Sequence, residues 1–187
     1  MSTTRRYTSA DLERLPEIEG VRYEIIDGEL YVSKPPDWHH QLAVSMLTTA
    51  LTTWSEATRA GVALGAPGLV FSPENDVAPD LIWISRERLA AVADASGHFR
   101  QAPELVVEVL SPGRRNEQRD REVKLSLYSR QGVDEYWIVD WRAHAVEVYR
   151  RAGAALQLVA TLGNGDTLTS PLLPGFSCPV AKLWFEG

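Results

Sequence analysis

An α/β or α+β domain with a mixed β-sheet is the fold class that the sequence predicts. Helix-like and strand-like segments alternate irregularly, two turn signals indicate hairpins, and one dense Val/Leu run is typical of a central strand covered on both faces. The chain has 187 residues, 44% of them hydrophobic, and no repeat or linker sequence divides it. We therefore expect a single domain over residues 1–187.

A hairpin and a long helix are predicted in the N-terminal part. A short helix over 8–15 comes first, and Asp27-Gly28 then joins two strand-like runs, 21–26 and 29–33. Both turn positions need a positive φ, for which Asp-Gly is favoured. A helix over 37–60 follows, indicated by apolar residues at helical spacing, namely Leu42, Met46, Leu47, Leu51 and Trp54.

The remaining elements are short strands and two further helices. In chain order we predict strands over 61–65, 68–72 and 77–84, a helical piece over 86–93, the dense strand over 103–110, and a charged helix over 116–130. Gly132 is the expected C-cap of that helix. A second hairpin, 134–140 with 145–151, and two weaker strands lead to the C-terminal segment 179–185.

Composition excludes several classes of protein. A net charge of −6 argues against a surface that grips nucleic acid all over. The single cysteine, Cys178, cannot form an internal disulfide, and the N-terminus lacks the apolar stretch of a signal peptide. No apolar run approaches the ~20 residues that a membrane span needs. We expect a soluble cytoplasmic protein.

One segment, 114–130, is locally basic. Six basic residues oppose the three acids Glu117, Asp120 and Glu122, which makes the segment +3. A charge run of this kind is more often a solvated helix with ion pairs than a binding surface. The basic residues are Arg114, Arg115, Arg119, Arg121, Lys124 and Arg130.

Two carboxylates, Asp80 and Glu108, occur in apolar strands, where an unpartnered charge would be costly. If these strands pair antiparallel with Leu81 opposite Val107, Asp80 lies opposite Glu108, with Cβ atoms about 4.5 to 5.5 Å apart. A divalent cation would turn their repulsion into attraction, and Mg²⁺ commonly takes one or two carboxylates from a protein. The backbone carbonyl of Val109 is a further candidate ligand.

Lys124 is predicted to point inward from the charged helix. On a helical wheel it shares an arc of about 140° with Val123, Leu127 and Tyr128, so it lies within the apolar stripe. The side chain could snorkel to solvent, or it could offset the acids, hold a phosphate or orient a water. Asp120 is its expected i,i+4 partner. The aromatic residues nearby are interpreted as packing: Tyr128, Tyr136, Trp137 and Trp141.

Seven motifs occur in order between about residues 7 and 185. They are Tyr23-Glu24-Ile-Ile-Asp27-Gly28-Glu29-Leu30, His40-Gln41, Ala78-Pro79-Asp80-Leu81, Pro103-Glu-Leu-Val-Val-Glu108-Val-Leu-Ser111-Pro112, Arg119-Asp120-x-x-x-Lys124-x-x-x-Tyr128, Gly132-Val-Asp-Glu135-Tyr136-Trp137-Ile-Val-Asp140 and Thr169-Ser-Pro-Leu-Leu-Pro-Gly. Together they resemble the Uma-two family of endonucleases.

The resemblance implies a restriction-endonuclease-like fold: a mixed sheet flanked by helices, with an N-terminal hairpin and additional C-terminal strands. Its PD-(D/E)xK site would use Mg²⁺ or Mn²⁺ to hydrolyse phosphodiesters. Asp80 and Glu108 would be the two acids and metal ligands, and Glu24 an additional acid. The family pattern places a lysine two residues after the second acid, where this chain has Leu110, so Lys124 would replace it.

The implied function is a divalent-metal-dependent endonuclease acting on nucleic acid, with DNA preferred as substrate. Lys124 would stabilise the transition state and position the attacking water, while Glu24 would complete or orient the metal shell. Substrate contacts are expected from His40 and from four arginines of the basic segment: Arg114, Arg115, Arg119 and Arg121. A homodimer would allow both strands to be addressed, although the sequence has no interface signature.

Two other functions stay open at this point. A catalytically inactive module could bind nucleic acid or protein with the same fold, because fold does not determine function. A structural protein could satisfy its buried acids by internal hydrogen bonds. Retention of Asp80, Glu108 and Lys124 favours the endonuclease.

Overall fold

The computed structural model describes residues 5–92 and 97–185. The strands in this part of the chain are β1 (Arg22–Ile26), β2 (Glu29–Ser33), β3 (Gly61–Gly65), β4 (Leu69–Ser72), β5 (Asn75–Val77), β6 (Leu81–Ser85), β7 (Leu105–Val109), β8 (Glu135–Asp140), β9 (Ala145–Ala152), β10 (Ala155–Leu162), β11 (Thr167–Ser170) and β12 (Leu173–Pro179). The helices are α1 (Ser9–Leu12), α2 (Trp38–Thr58), α3 (Arg86–Val92), α4 (Arg114–Gln118) and α5 (Leu125–Gln131). A π-helical turn, Arg119–Lys124, joins α4 to α5, and Val180–Leu183 is a 3₁₀ helix.

A six-stranded sheet in the order β10-β9-β8-β7-β6-β3 is the centre of the molecule. Every residue of β7 and β8 is buried, as the continuous apolar character of the two strands predicts. These two strands pair in parallel, and the other strand pairs described in this sheet are antiparallel. A parallel pair needs a crossover connection, and the segment from α4 to α5 supplies it. The predicted mixed sheet is therefore confirmed.

The predicted register between β6 and β7 is also confirmed, since Leu81 pairs with Val107. Pairing stops at this position because the residue two before Leu81 is Pro79, which has no N–H to donate. Asp80 thus lies one position beyond the last pair of the ladder, at the level of Glu108. The backbone amide of Val109 faces this side of β7 and donates to the Asp80 side chain.

The single strand predicted over 77–84 is wrong, because Ala78-Pro79-Asp80 interrupts it. The part before the interruption, β5, pairs with β1 and β4 in a second sheet, whereas β6 pairs with β3 and β7 in the central sheet. Pro79 causes the separation, since it cannot donate to a ladder. Asp80 is consequently placed where the two sheets meet.

The second sheet has the order β2-β1-β5-β4 and contains the predicted hairpin. Asp27 and Gly28 at its turn both have positive φ, 50° and 76°, as expected. Arg22, Glu24 and Ile26 alternate onto one face of β1. Because Ile26 is buried in the core between this hairpin and the central sheet, Arg22 and Glu24 also face inward.

Helix α2 covers one face of the central sheet. Asp37 is its N-cap, and the Asp37 side chain accepts hydrogen bonds from the amides of His39 and His40. The buried residues repeat every four positions, as Ala43, Leu47 and Leu51 show. The predicted apolar stripe is only partly correct, since Leu42, Met46 and Trp54 are half-buried.

The charged helix is longer than predicted and is not a regular α-helix. It extends from α4 through the π turn to α5, and Gly132 ends it with a φ of 89°, as expected for a C-cap. A π turn contains one extra residue per turn and is often found at functional sites. Here it directs Arg119, Asp120 and Lys124 together into the interior.

The C-terminal part contains three strands where two were expected. β10 extends the central sheet as the second half of a hairpin with β9, and β11 pairs with β12 in a small third sheet. The short first helix is limited to α1, with Thr8 and Asp11 forming a capping box. The predicted end of the helix at residue 93 lies outside the described residues. No helix among the described residues is long and apolar enough to span a membrane.

Candidate active site

Asp80 is held by three donors at the junction of the two sheets. Its Oδ1 accepts a hydrogen bond from Nη1 of Arg22 at 3.1 Å. Its Oδ2 accepts one from the backbone N–H of Val109 at 2.9 Å and lies 3.1 Å from Nε2 of His40. Both oxygens of this buried carboxylate are therefore engaged.

These contacts keep Asp80 ionised. Burial raises the pKa of its carboxyl group, but the hydrogen bond and charge of His40, the charge of Arg22 and the Val109 amide outweigh burial and lower the pKa to about 2. Metal ligands of this type must be deprotonated to bind. Asp80 is thus in the protonation state that a metal ligand requires.

Glu108, Lys124 and Glu24 form a buried cluster beside Asp80. Nζ of Lys124 lies 2.8 Å from Oε1 of Glu108 and 2.8 Å from Oε1 of Glu24. The Tyr128 hydroxyl donates a second hydrogen bond to Oε1 of Glu108, also at 2.8 Å. Lys124 has 0% exposure, so the prediction that it points inward is confirmed. Within the described residues, Oε2 of Glu108 has no hydrogen-bond partner.

Several buried carboxyl groups surround Lys124, and together they shift the pKa values of this cluster. Burial raises the pKa of Glu108, Lys124 opposes this effect, Asp80, Asp120 and Glu24 add to it, and the pKa rises to about 8. Burial disfavours the charged form of Lys124, but the surrounding carboxyl groups outweigh it and raise the lysine pKa. Lys124 is therefore held in its charged form, while burial and the neighbouring carboxyl groups disfavour the ionised form of Glu108.

The π turn contributes a second ion pair to the site. Nε of Arg119 donates to Oδ1 of Asp120 at 2.9 Å, and Nη1 donates to Oγ of Ser33 at 2.6 Å. Arg119 also lies 3.9 Å from Glu24. The direct partner of Asp120 is thus Arg119, and Lys124 affects Asp120 through its charge. The i,i+4 pair expected for a regular helix does not form, because the π turn changes the angular spacing.

The cluster opens into a narrow cleft of about 60 Å³. Carboxyl groups, a lysine and a backbone segment line its interior: Glu24, Asp80, Glu108, Val109 and Lys124. Its other lining residues include Arg22, Ser33, Lys34, His40, Ser111 and Arg119. The fold thus brings together the four residues predicted as catalytic and the third predicted metal ligand.

Leu110, the position at which the family pattern has its lysine, is fully buried in an apolar cluster with Leu127 and Tyr128. Burying an ammonium group in such a largely apolar cluster is costly, which favours leucine at this position. Lys124 reaches the same carboxylate, Glu108, from the crossover helix. The replacement suggested by the resemblance is therefore geometrically feasible.

The oxygen donors of this cleft fit a divalent cation. Asp80 is ionised, Oε2 of Glu108 is free of protein hydrogen bonds, and the Val109 carbonyl points to the same side of β7 as the Val109 amide, which faces Asp80. Two carboxylates and a carbonyl match the hard-oxygen preference of Mg²⁺, which fills its remaining positions with water and phosphate oxygens. Among residues 5–92 and 97–185, no group of three or more His, Cys, Asp or Glu side chains is placed to hold a metal ion by itself.

Two members of the site, Arg22 and Tyr128, have roles that sequence patterns only partly indicate. Arg22 binds Asp80 and also donates to the carbonyl of Ala78 at 2.8 Å. Its alternation with Glu24 and the apolar Ile26 on one strand face is a signal that could have identified it. Tyr128 packs in the core, as predicted, but its hydroxyl also reaches Glu108.

His40 and His39 have different environments. His40 is 4% exposed and contacts Asp80, so its observed role is to position that carboxylate, and contact with substrate stays a prediction. In the described part of the chain, Nδ1 of His40 has no hydrogen-bond partner. His39 is half-exposed and stacks between Trp38 and Trp141, with ring centroids 3.6 and 4.4 Å apart.

The arginines predicted to meet substrate are partly engaged within the protein. Arg119 belongs to the buried cluster, and Arg121 is 2.8 Å from Glu147 and 3.4 Å from Asp140. These two cations would have to leave their partners to bind phosphate. Arg114 and Arg115 are exposed at the start of α4. The alternative interpretation of this segment, an ion-paired helix, therefore describes its C-terminal part well.

Comparison with solved structures identifies a similar fold. A crystal structure from Anabaena variabilis ATCC 29413, described as "a putative nuclease belonging to DUF820", matches with a TM-score of 0.73 over 94% of this chain and 96% of that chain. The two sequences are 17% identical, so the likeness concerns the fold. No curated protein matches the chain significantly.

A family model provides the assignment. The model of the Uma2 family, described as "Putative restriction endonuclease", matches residues 9–181. The matched region includes the buried cluster, the cleft and both sheets that form it. The chain therefore belongs to the Uma2 family of restriction-endonuclease-like proteins.

Proposed function

We propose that this protein is a divalent-metal-dependent endonuclease that hydrolyses phosphodiester bonds of DNA with Mg²⁺ or Mn²⁺. One observation supports this function above all: Asp80 and Glu108 meet in an accessible cleft with a buried lysine 2.8 Å from one of them. Purely structural ion pairs do not require a solvent-accessible cleft, and perturbed carboxyl groups in a cleft are typical of active sites.

The electrostatics of the cluster also favour a cation. Burial and three neighbouring carboxyl groups disfavour the ionised form of Glu108 and raise its pKa, although Lys124 is adjacent. A divalent charge near Oε2 would favour the ionised form and lower the pKa of Glu108. Asp80, Glu108 and the Val109 carbonyl would hold the ion. When bound, such an ion polarises a phosphoryl oxygen and lowers the pKa of an attacking water.

The remaining residues of the cluster have distinct roles in this proposal. Lys124 supplies a fixed positive charge for the pentavalent phosphorus transition state, and its inward orientation is set before substrate arrives. Glu24 positions Lys124 through their 2.8 Å contact. Tyr128 orients Glu108 through its hydroxyl hydrogen bond. Arg22 and His40 hold the Asp80 carboxylate in place.

A cleavage assay tests this function. The purified protein is incubated with single-stranded and double-stranded DNA and RNA in Mg²⁺ or Mn²⁺, and in EDTA. We expect cleavage of DNA only with the metal, and a loss of at least about 100-fold in Asp80→Ala and Lys124→Ala, as for removal of a group that stabilises developing charge. Glu56→Gln changes an exposed acid of α2 and serves as the matched control.

Two results would contradict the proposal. Cleavage at the wild-type rate in both Asp80→Ala and Lys124→Ala would show that the nuclease site is elsewhere. Binding of DNA without cleavage in either metal would favour the inactive binding module instead. Circular dichroism of each variant separates loss of the site from loss of the fold.

A further inference from the structure

The cations that line the cleft are almost all committed to protein carboxylates. Arg22 binds Asp80, Lys124 lies between Glu24 and Glu108, and Arg119 pairs with Asp120. A substrate phosphate that enters this cleft therefore needs another positive side chain. Otherwise it would meet the three acids that line the cleft and three cations that are already paired.

Lys34 is that additional cation. It is exposed, it lines the cleft, and it has no ion-pair or hydrogen-bond partner among the described residues. It directly follows β2, and Pro35 and Pro36 come after it, so the backbone that presents it is conformationally restricted. The side chain is thus held at the mouth of the cleft without an internal partner.

A second, larger depression continues from the same place. This groove has a volume of about 450 Å³ and shares Ser33, Lys34, Pro36 and Ser111 with the cleft. Its other lining residues are Val32, Pro35, Asp37, Pro112 and Asn116. Lys34 therefore lies at the border where the groove meets the cleft.

Trp38 follows directly on Asp37, the last groove residue of this segment. It is 60% exposed, which is unusual for so large an apolar side chain. One face of its indole is stacked on His39, which in turn stacks on Trp141 with nearly parallel rings. The supporting rings hold Trp38 in position and leave its other face accessible.

We propose that the groove and Trp38 form a subsite for one unpaired DNA strand, in which Lys34 contacts a backbone phosphate and Trp38 stacks on a base. Proteins that bind single strands combine such a cationic groove with aromatic platforms. This subsite rests on the proposed nuclease function for the identity of the strand, but its binding can be measured without cleavage.

The size of the cleft supports a single strand. Its volume of about 60 Å³ is small beside the 450 Å³ of the adjoining groove, so the cleft suits a phosphoryl group and the groove suits the larger parts of a nucleotide. The strand that enters must therefore pass its backbone into the cleft while its bases remain outside. The groove and Trp38 offer a location for the neighbouring nucleotides.

The test measures fluorescence anisotropy of a labelled oligothymidylate of about 12 nucleotides, a length within the usual range of single-strand sites. A duplex of the same length is measured in parallel, and both titrations are done in EDTA so that no cleavage can occur. We expect the single strand to bind more tightly than the duplex.

Two variants separate the two contacts. Lys34→Ala should reduce the slope of log K against log salt concentration by about 0.7, the value for one phosphate contact on a single strand. Trp38→Ala should weaken binding by about fivefold or more without a change in that slope, since stacking releases no counterions. The conservative variants should behave much as the wild type does. Lys34→Arg should keep most of the salt dependence, and Trp38→Phe should keep most of the affinity.

Matched controls are available in the same chain. Lys182→Ala and Phe185→Ala remove an exposed lysine and an exposed aromatic that line neither the cleft nor the groove, and both should bind as the wild type does. The subsite is refuted if the wild type does not bind the single strand, if the duplex binds more tightly, or if Lys34→Ala and Trp38→Ala leave affinity and slope unchanged. Binding with these dependences but without cleavage in Mg²⁺ or Mn²⁺ would refute the nuclease and retain the subsite.

Discussion

Asp80 and Glu108 lie at the same level of neighbouring strands, yet their pKa values shift in opposite directions. Asp80 receives three donors, and its pKa falls to about 2. Glu108 is buried among other acids that outweigh its one lysine, and its pKa rises to about 8. Separate pKa values of two adjacent carboxyl groups often accompany different tasks. In the proposed nuclease, Asp80 would be a constant anion, and a bound cation would favour the ionised form of Glu108.

Acid titration of the metal-free protein tests the environment of Asp80. A carboxyl group whose pKa is lowered by folding stabilises the folded state above its unfolded pKa, and this contribution is lost as the pH falls through the folded pKa. Folding lowers the pKa of Asp80 from the usual 3.8 to about 2, and this shift corresponds to about 2 kcal/mol of the free energy of unfolding. We expect the free energy of unfolding in urea and EDTA to contain this term at pH ~5 and to lose it by pH ~2.

Asp80→Asn provides the comparison, because asparagine does not titrate. The difference in unfolding free energy between wild type and variant should shrink by about 2 kcal/mol over this pH window. A constant difference would mean that Asp80 is not held as an anion by Arg22, His40 and Val109.

Single residues also differ in how far their sequence context indicates a role. Lys124 could be identified because a lysine in an apolar helical stripe is exceptional. Arg22 is an arginine in a half-polar strand, and such residues are common at surfaces. Its contact with Asp80 depends on how the hairpin is placed against the central sheet, which no local pattern specifies.

At the scale of elements, the π turn between α4 and α5 decides which charges enter the site. Leu127 and Tyr128 anchor α5 in the core. The extra residue of the π turn rotates the preceding segment relative to α5, so Arg119 and Asp120 join Lys124 in the interior. A helical wheel assumes constant angular spacing, and it places Lys124 correctly because that residue directly precedes α5. The same wheel does not predict that Arg119 pairs with Asp120.

Insertion of one alanine directly after the exposed Glu122 tests this geometry. One further helical residue in this turn rotates α4 by about 100° relative to α5. Arg119 and Asp120 would then leave their partners, and loss of buried pairing typically costs about 3 to 5 kcal/mol. We expect reduced unfolding free energy and loss of DNA cleavage, with helix content retained by circular dichroism.

A substitution at the same position is the control. Glu122→Ala removes one exposed hydrogen bond with Gln118 and should change stability by no more than about 0.5 kcal/mol. Wild-type cleavage by the insertion variant would show that the orientation of Arg119 and Asp120 is dispensable for the site.

Other elements follow the sequence closely where a local rule applies. The Asp27-Gly28 turn, the N-cap at Asp37 and the C-cap at Gly132 are all specified by residues within one turn of the chain. The division of 77–84 into β5 and β6 is different. Pro79 signals an interruption, but only the two sheets together determine which strands each part joins.

At the scale of the whole molecule, the candidate site lies at the junction of two sheets and a crossover helix. β1 supplies Glu24, the end of β5 leads to Asp80, β7 supplies Glu108 and the π turn supplies Lys124. Each element is also buried against a shared apolar core, so the relative positions of the charged groups depend on packing of the whole domain.

Metal binding should therefore stabilise the entire fold. A ligand that binds only the folded state at about 100 times its Kd adds about 2.7 kcal/mol. For a domain of this size, that corresponds to a rise in Tm of roughly 5 to 11 °C. We expect this rise with Mg²⁺ or Mn²⁺ at constant ionic strength, measured by differential scanning calorimetry.

The matched variants are Glu108→Gln, which removes a proposed ligand, and Glu56→Gln, which removes an exposed acid. The first should lose the metal-dependent rise in Tm, and the second should keep it. An equal rise in both would place the bound ion outside the cleft.

The sequence by itself determined the local elements, the family, the register of β6 on β7 and the inward direction of Lys124, because these depend on periodicity, turn residues and short-range geometry. Only the tertiary structure decided that Lys124 lies between Glu24 and Glu108, that Arg22 neutralises Asp80, and that Lys34 stays unpaired at the edge of the cleft. Charge pairing over separations of 16 to 100 residues is set by how sheets and helices pack, and that packing is a property of the entire core.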